Sequence, residues 1–305
     1  MTTTLPTFPL VSNGYELLST PERLGHLTPS NPHTSMTALR EQYESQGYLW
    51  LKGLLDRGQV LDFRRRVFEA FRQAGLVAPG TDAGLGVYAG EQSEKAAALH
   101  PNRVLMEVVR WASYEAFCLA APIIDFYEAF LDGAVYLHKR KILRYTRPHE
   151  PNCTGAHYDL VYLRGGTDRV CTSWIPIGDT SVEMGGLIYL ENSHHWGREM
   201  EAEFSRRNAE LPTEERIKAY NKNMSDTGWL GKDLNVLSNR IDTRWLIADY
   251  EAGDMVVHGP YTIHASTVNL DANNHMRLST DIRYQRVRDE IDVRWANHWS
   301  LDDML

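Results

Sequence analysis

The chain is poor in cysteine, in long apolar runs and in clustered positive charge, and each shortage removes a class of explanation. Its three cysteines, Cys118, Cys153 and Cys171, form no C-x-x-C pair and no even set. No disulfide framework is expected, which fits a reducing compartment and a cytoplasmic location. The longest apolar run, Ala116 to Ile124, is broken by Pro122 and falls well short of the roughly 20 residues that span a bilayer. The opening MTTTLPTFPLVSNGYELL has no basic segment leading into an apolar one, so no secretory signal is expected. A net charge of -8 with no Lys/Arg run longer than Arg64-Arg65-Arg66 disfavours nucleic acid or an anionic membrane as the partner. Repeats and low-complexity tracts are absent as well.

What is present is an ordinary globular composition, 43% hydrophobic and 24% charged over 305 residues, which suits one elaborated domain. Residues 1–34, rich in Pro, Thr, Ser and Asn, read as an irregular arm. A mainly helical stretch over 35–132 follows. It has a helix from Ser35 to Gln46, a short strand at Tyr48–Leu51, and a second helix that Asp56 caps. Val60, Phe63, Val67 and Phe71 recur there at helical spacing, and Gly75 stands where a cap ends it. Residues 79–101 read as a loop, and further helices are expected over 104–118 and 123–131.

From Gly133 the period changes. Strand signals recur near 134–146, 157–163, 170–177, 186–190, 244–249, 254–258, 262–268 and 277–287, separated by Gly, Pro, Asn and Asp turns. The expected fold is mainly β with flanking helices, a double-stranded β-helix or cupin-like jelly roll over 133–290. A charged insertion at 198–242, with Thr213 as a helix cap, has the placement of a lid.

The chemistry concentrates at Gly155-Ala156-His157-Tyr158-Asp159. On a strand, residues two apart share a face, so His157 and Asp159 would converge on one point. A distant histidine, His264, would complete a 2-His-1-carboxylate face of the kind that suits non-haem Fe(II). His258 is its rival, set apart by the Gly259-Pro260 break and read as a neighbour of the site or a core residue. His194 and His195 are adjacent and read as closing a turn. His138, His149, His275 and His298 carry only structural readings. Arg277, inward on a later strand, needs an anion because its guanidinium is always charged, and Ser266 could share the same carboxylate. Arg283, on the same face, reads as a salt-bridge partner of Asp281 or Asp159.

These segments, G-A-H-Y-D at 155–159, T-S-W-I-P-I-G-D at 172–179, G-G-L-I-Y-L-E-N-S-H at 185–194 and G-D-M-V-V-H-G-P-Y-T-I-H-A-S at 253–266, with Arg277 and Arg283-Tyr284, resemble the phytanoyl-CoA dioxygenase family of Fe(II)/2-oxoglutarate oxygenases. The resemblance implies that His157, Asp159 and His264 ligate iron and that Arg277 with Ser266 grips the distal carboxylate of 2-oxoglutarate. It also implies that Trp174 lines the cosubstrate pocket and that Lys141 and Arg103 lie near it. Because Asp159 is retained, oxygenation rather than halogenation is implied.

The expected activity is therefore oxidation, by default hydroxylation, of a small organic substrate, with O2 consumed and succinate and CO2 released. Trp229, Tyr220, Tyr158 and Tyr162 suggest a mid-sized molecule, such as one of secondary metabolism. Two other readings stand beside it: a cupin-like metal isomerase or hydrolase without 2-oxoglutarate, and a non-catalytic ligand-binding jelly roll. Neither needs Arg277 and Ser266. Oligomeric state is not legible.

Overall fold

A computed structural model describes residues 4–91, 101–218 and 228–300. In chain order, β1 (Val11–Ser12) and β2 (Tyr15–Glu16) form a hairpin through Asn13-Gly14, both at positive φ, as a tight primed turn requires. Then come β3 (Leu24–His26), β4 (Pro29–Ser30), α1 (Met36–Gln46), β5 (Tyr48–Leu51) and α2 (Arg57–Gln73). The helices α3 (Pro101–Val108), α4 (Ala112–Cys118) and α5 (Ala121–Leu131) lead to β6 (Val135–Leu137) and β7 (Ile142–Thr146). The remainder is α6 (Leu160–Leu163), β8 (Cys171–Pro176), β9 (Leu187–Leu190), α7 (Ser193–Arg207), α8 (Thr213–Arg216), α9 (Leu234–Arg240), β10 (Trp245–Ile247), β11 (Met255–His258), β12 (His264–Ser266) and β13 (Arg277–Arg286).

Two sheets face each other. The larger runs β4-β5-β11-β8-β13-β6, with β7 also on β13, and the smaller runs β12-β9-β10-β3. Alternation along each strand sorts the side chains into layers. Tyr48, Trp50, Trp174 and Val256 from one sheet meet Leu187, Tyr189 and Leu246 from the other in the space between. The opposite face of the larger sheet, including Leu49, Val257, Ile175, Leu278 and Ile282, packs on α2, α4 and α5. The jelly roll is thus the expected one, buttressed on one sheet by the helices of the first half.

Local rules explain most boundaries. The Oγ of Ser35 and the carboxylate of Asp56 accept the N–H groups of Ala38 and Gln59 at the starts of α1 and α2. The arm is not irregular: β3 and β4 add parallel strands to the two sheets, beside β10 and β5. Strands of three and two residues are too short for period-2 alternation to reveal. The 104–118 helix is two helices broken at Arg110-Trp111, and α8 takes Pro212 rather than Thr213 as its cap. Within the 79–101 loop, residues 92–100 lie outside the described residues.

One buried cation ties the layers together. Arg64 sits on the apolar face of α2, and its guanidinium donates to the carbonyls of Gly84 (2.7 Å), Ile177 (2.9 Å) and Leu85 (2.9 Å). Burial lowers its pKa to about 10. Arg64→Met would leave those carbonyls without donors, and a loss of about 3 kcal/mol is expected, measured by urea unfolding. A wild-type midpoint would show that the carbonyls find other partners.

Candidate metal centre

His157 and His264 are brought together by backbone, not by chance of packing. Each donates its N–H to the other's carbonyl, at 3.1 and 3.0 Å, so their imidazoles lie side by side with centroids 4.3 Å apart. Asp159 arrives differently from the strand geometry expected. It has φ -66° and ψ -28°, and the chain turns there into α6, with Leu160 N–H donating to Pro260 O at 2.9 Å. The apolar run Leu160–Leu163 has the look of a strand. An aspartate in front of it is a good helix start, and the turn swings the carboxylate under both imidazoles.

The Nε2 atoms of His157 and His264 each stand 3.7 Å from Asp159 Oδ1. The three ligand atoms lie within 4.8 Å of one another, all from buried residues. That spacing accommodates one cation bonded at about 2.1 Å to each. On both histidines Nδ1–H donates to a carbonyl, Gly155 O for His157 and Thr262 O for His264, both at 2.9 Å. The proton is therefore on Nδ1 and the Nε2 lone pairs face inward.

Asp159 is used asymmetrically. Oδ2 accepts from Thr172 Oγ1 and from Arg283 Nη2 at 3.1 Å, and His258 Nε2 stands 3.4 Å away. Oδ1 is buried with no hydrogen-bond partner. Burial alone would push the carboxyl up, but Arg283, His258 and His264 offset this and hold it well below the usual carboxylate range. Burial moves His157 and His264 the other way, favouring neutral imidazoles. Two neutral imidazoles facing an unpaired carboxylate oxygen are a donor set for a divalent cation. His258 sits against Asp159, as its sequence position suggested, with Nδ1 3.0 Å from the Tyr189 hydroxyl. His194 and His195 do not close a turn; they begin α7.

Beside this group a cavity of about 280 Å³ is lined by Arg144, Thr146, Cys153, Ser266 and Arg277 among others. Arg277 is buried. Its Nη1 donates to Gly185 O and its Nη2 to Thr146 Oγ1 at 2.8 Å, while Nε has no partner. Burial lowers its pKa to about 10. Ser266, two residues beyond His264, accepts Thr154 N–H at 3.0 Å and keeps its own proton for the cavity.

Three other residues expected at or near the pocket are placed elsewhere. Lys141 shares its strand face with Leu143 and Tyr145, so its ammonium turns into the helical layer, to Glu115 Oε2 at 3.1 Å and over the Tyr114 ring. Trp174 lies between the sheets against Tyr250, with centroids 4.7 Å apart, and does not line this cavity. Arg103 is on α3, outside the lining, although Asn102 and Leu105 reach it.

The insertion returns to the site. Ala156 exchanges backbone hydrogen bonds with Leu230 (2.7 Å) and Gly231 (3.1 Å), and Trp229 lies flat on Gly155. A Cβ at 155 would come within 2.6 Å of the indole, so the glycine is required by close approach. Tyr162 stands edge-on to His157 at 5.6 Å. Tyr158 instead faces away, its hydroxyl on Glu201 at 2.7 Å, and Tyr220 lies outside the described residues. Thr172 and Arg144 were missed by sequence reasoning. Strand register could have found Thr172, since it pairs directly with Arg283.

Comparison with known proteins agrees with this geometry. The family model for phytanoyl-CoA dioxygenase (PhyH) matches residues 43–277. A 1-deoxypentalenic acid 11-beta-hydroxylase of Streptomyces exfoliatus is 25% identical over 254 residues, covering 81% of this chain and 80% of the relative. Its counterpart from Streptomyces arenae is 23% identical over a similar span. Among solved structures, the epimerase SnoN with Fe3+, alpha ketoglutarate and nogalamycin RO aligns at TM-score 0.55 and 17% identity over 84% of this chain and 85% of that one. EctD from S. alaskensis with bound Fe aligns at 0.53 and 13% over 92% and 89%. The structures share the fold, and the family match extends across most of the chain. This chain belongs to the phytanoyl-CoA dioxygenase family and is a 2-oxoglutarate-dependent non-haem iron oxygenase.

Proposed function

We propose that His157, Asp159 and His264 hold the ferrous ion, that Arg277 and Ser266 receive the distal carboxylate of 2-oxoglutarate, and that the reaction is hydroxylation of a small organic molecule of secondary metabolism. The observation that carries this reading is Asp159 Oδ1, a buried carboxylate oxygen without a donor, facing two imidazole lone pairs. Hydroxylation is favoured over other oxidations because the two similar sequences are hydroxylases by name. A metal isomerase or hydrolase would have no use for a buried arginine lacking a carboxylate. The three cysteines are free and buried, which supports a cytoplasmic setting, and among the described residues no helix is long and apolar enough to cross a membrane.

When bound, iron with 2-oxoglutarate and O2 supplies an oxidant able to break a C–H bond, releasing succinate and CO2. The work of this chain is placement. Gly155 and Thr262 carbonyls fix the imidazole rings, and Arg283 and Thr172 keep the carboxylate aimed. Tyr162, edge-on to His157, and Trp229, against Gly155, supply aromatic surface near the group that can keep water away.

Three outcomes test the assignment. Mixed anaerobically with Fe(II) and 2-oxoglutarate, the wild type should show the weak visible charge-transfer band of chelated 2-oxoglutarate, and His157→Ala and His264→Ala should not. A band of wild-type strength in either variant rejects the ligand set. Arg277→Ala should weaken 2-oxoglutarate by about 10- to 100-fold while leaving metal binding intact; unchanged titration of the band would remove Arg277 from the cosubstrate site. Asp159→Ala should lose metal and also about 3 kcal/mol of stability, because Arg283 is left buried without its partner. The double variant Asp159→Ala/Arg283→Met should recover the stability and not the metal, by calorimetry.

A further inference from the structure

A second arginine shares the cavity with Arg277, and its guanidinium is only partly used. Arg144 is on β7, where Leu143 and Tyr145 turn into the helical core. Alternation therefore sends Arg144 and Thr146 to the opposite face, toward the metal group. Its Nε donates to Asp281 Oδ2 at 3.1 Å, and among the described residues Nη1 and Nη2 have no partner. The side chain is 43% exposed, whereas Arg277 is 5% exposed. On β7 Arg144 pairs with Ser279, which lies on β13 between Arg277 and the Arg283 that holds Asp159, and Leu105 and Trp299 line the same cavity.

We infer that Arg144 is the substrate-anchoring residue and that the substrate is an apolar carboxylic acid, its carboxylate received by Nη1 and Nη2. The inference rests on the iron and 2-oxoglutarate reading above, which assigns Arg277 and Ser266 to the cosubstrate. A planar guanidinium fixed at Nε presents its two terminal nitrogens as a fork, the geometry that a carboxylate matches in bidentate fashion. Asp281 holds the fork in place without filling it. A neutral substrate would leave those donors facing apolar surface, at a cost in binding.

The test uses decalin-2-carboxylate and its methyl ester as probes, titrated calorimetrically into anaerobic protein carrying Fe(II) and 2-oxoglutarate and again into metal-free protein. The wild type should prefer the acid by on the order of 10- to 100-fold. Arg144→Ala and Arg144→Gln should lose that preference and Arg144→Lys should keep part of it. In all of them the 2-oxoglutarate titration of the charge-transfer band should stay within about threefold of wild type. The inference is overturned if the wild type binds neither probe or shows no preference, or if Arg144→Ala keeps the preference. It is equally overturned if Arg144→Gln weakens 2-oxoglutarate by roughly tenfold or more, which would make Arg144 a cosubstrate residue. Absence of the band in the wild type would reject the iron reading instead, and the acid-to-ester comparison on metal-free protein would still decide Arg144.

Discussion

The structure depends on one carboxylate doing two things at once. Asp159 is fully buried, and a lone buried carboxylate would take up a proton rather than pay the desolvation cost. Arg283 and Thr172 on Oδ2 keep it ionised from one side. Because they occupy only that oxygen, Oδ1 remains available to a cation. Had the arginine bound both oxygens as a fork, the carboxylate would be satisfied and the imidazoles would face a closed salt bridge. The arrangement is therefore a charged pair built to be incomplete.

Holding an incomplete pair open demands rigid support from behind, and α7 provides it. Tyr158 lies between the two ligands of the His-x-Asp motif and points the other way, to Glu201, which Arg164 grips through both oxygens at 2.7 and 3.0 Å. At the start of the same helix, Ser193 Oγ accepts Ile263 N–H at 2.9 Å, one residue before His264. Gly197 then lets the helix approach Tyr261, whose carbonyl would lie 2.1 Å from any Cβ there. One helix thus grips the segments of both histidines at Tyr158 and Ile263, the residues next to His157 and His264. The insertion beyond 198 is continuous with that helix, so the splint and the lid-like piece are one element.

Charge in the interior runs against the charge of the whole. A chain of net charge -8 lines one face of β13 with Arg277, Ser279, Asp281 and Arg283, spread over about 20 Å of strand. Arg283 is matched by Asp159 and Arg144 in part by Asp281. Arg277 is matched by no carboxylate among the described residues. An unmatched buried guanidinium destabilises a fold unless something external completes it, so its retention here is a functional expense. Arg277 occupies the buried end of the cavity and leaves the half-exposed Arg144 nearer the mouth.

How much of this could be read from the sequence follows from the range of each signal. Period-2 runs such as Cys171–Pro176 and Arg277–Arg286 are local, so the strands, their faces and the Arg283–Asp159 pair were legible. The grouping of His157, Asp159 and His264 was legible for the same reason, through His-x-Asp and a histidine on a later strand. Asp159 departs from the strand geometry: convergence comes from a helix turn after the His157–His264 bridge, and a four-residue apolar helix is indistinguishable from a strand by periodicity. Lys141 shows the limit in the other direction. It belongs to the strand that carries Arg144 and Thr146, but odd and even positions face opposite layers, and resemblance in a loosely aligned stretch fixes the strand without fixing its parity. A one-residue uncertainty there exchanges a cation in the cavity for a cation on Glu115, which is why Arg144, three positions along and on the inward face, went unrecognised until the register with β13 was known.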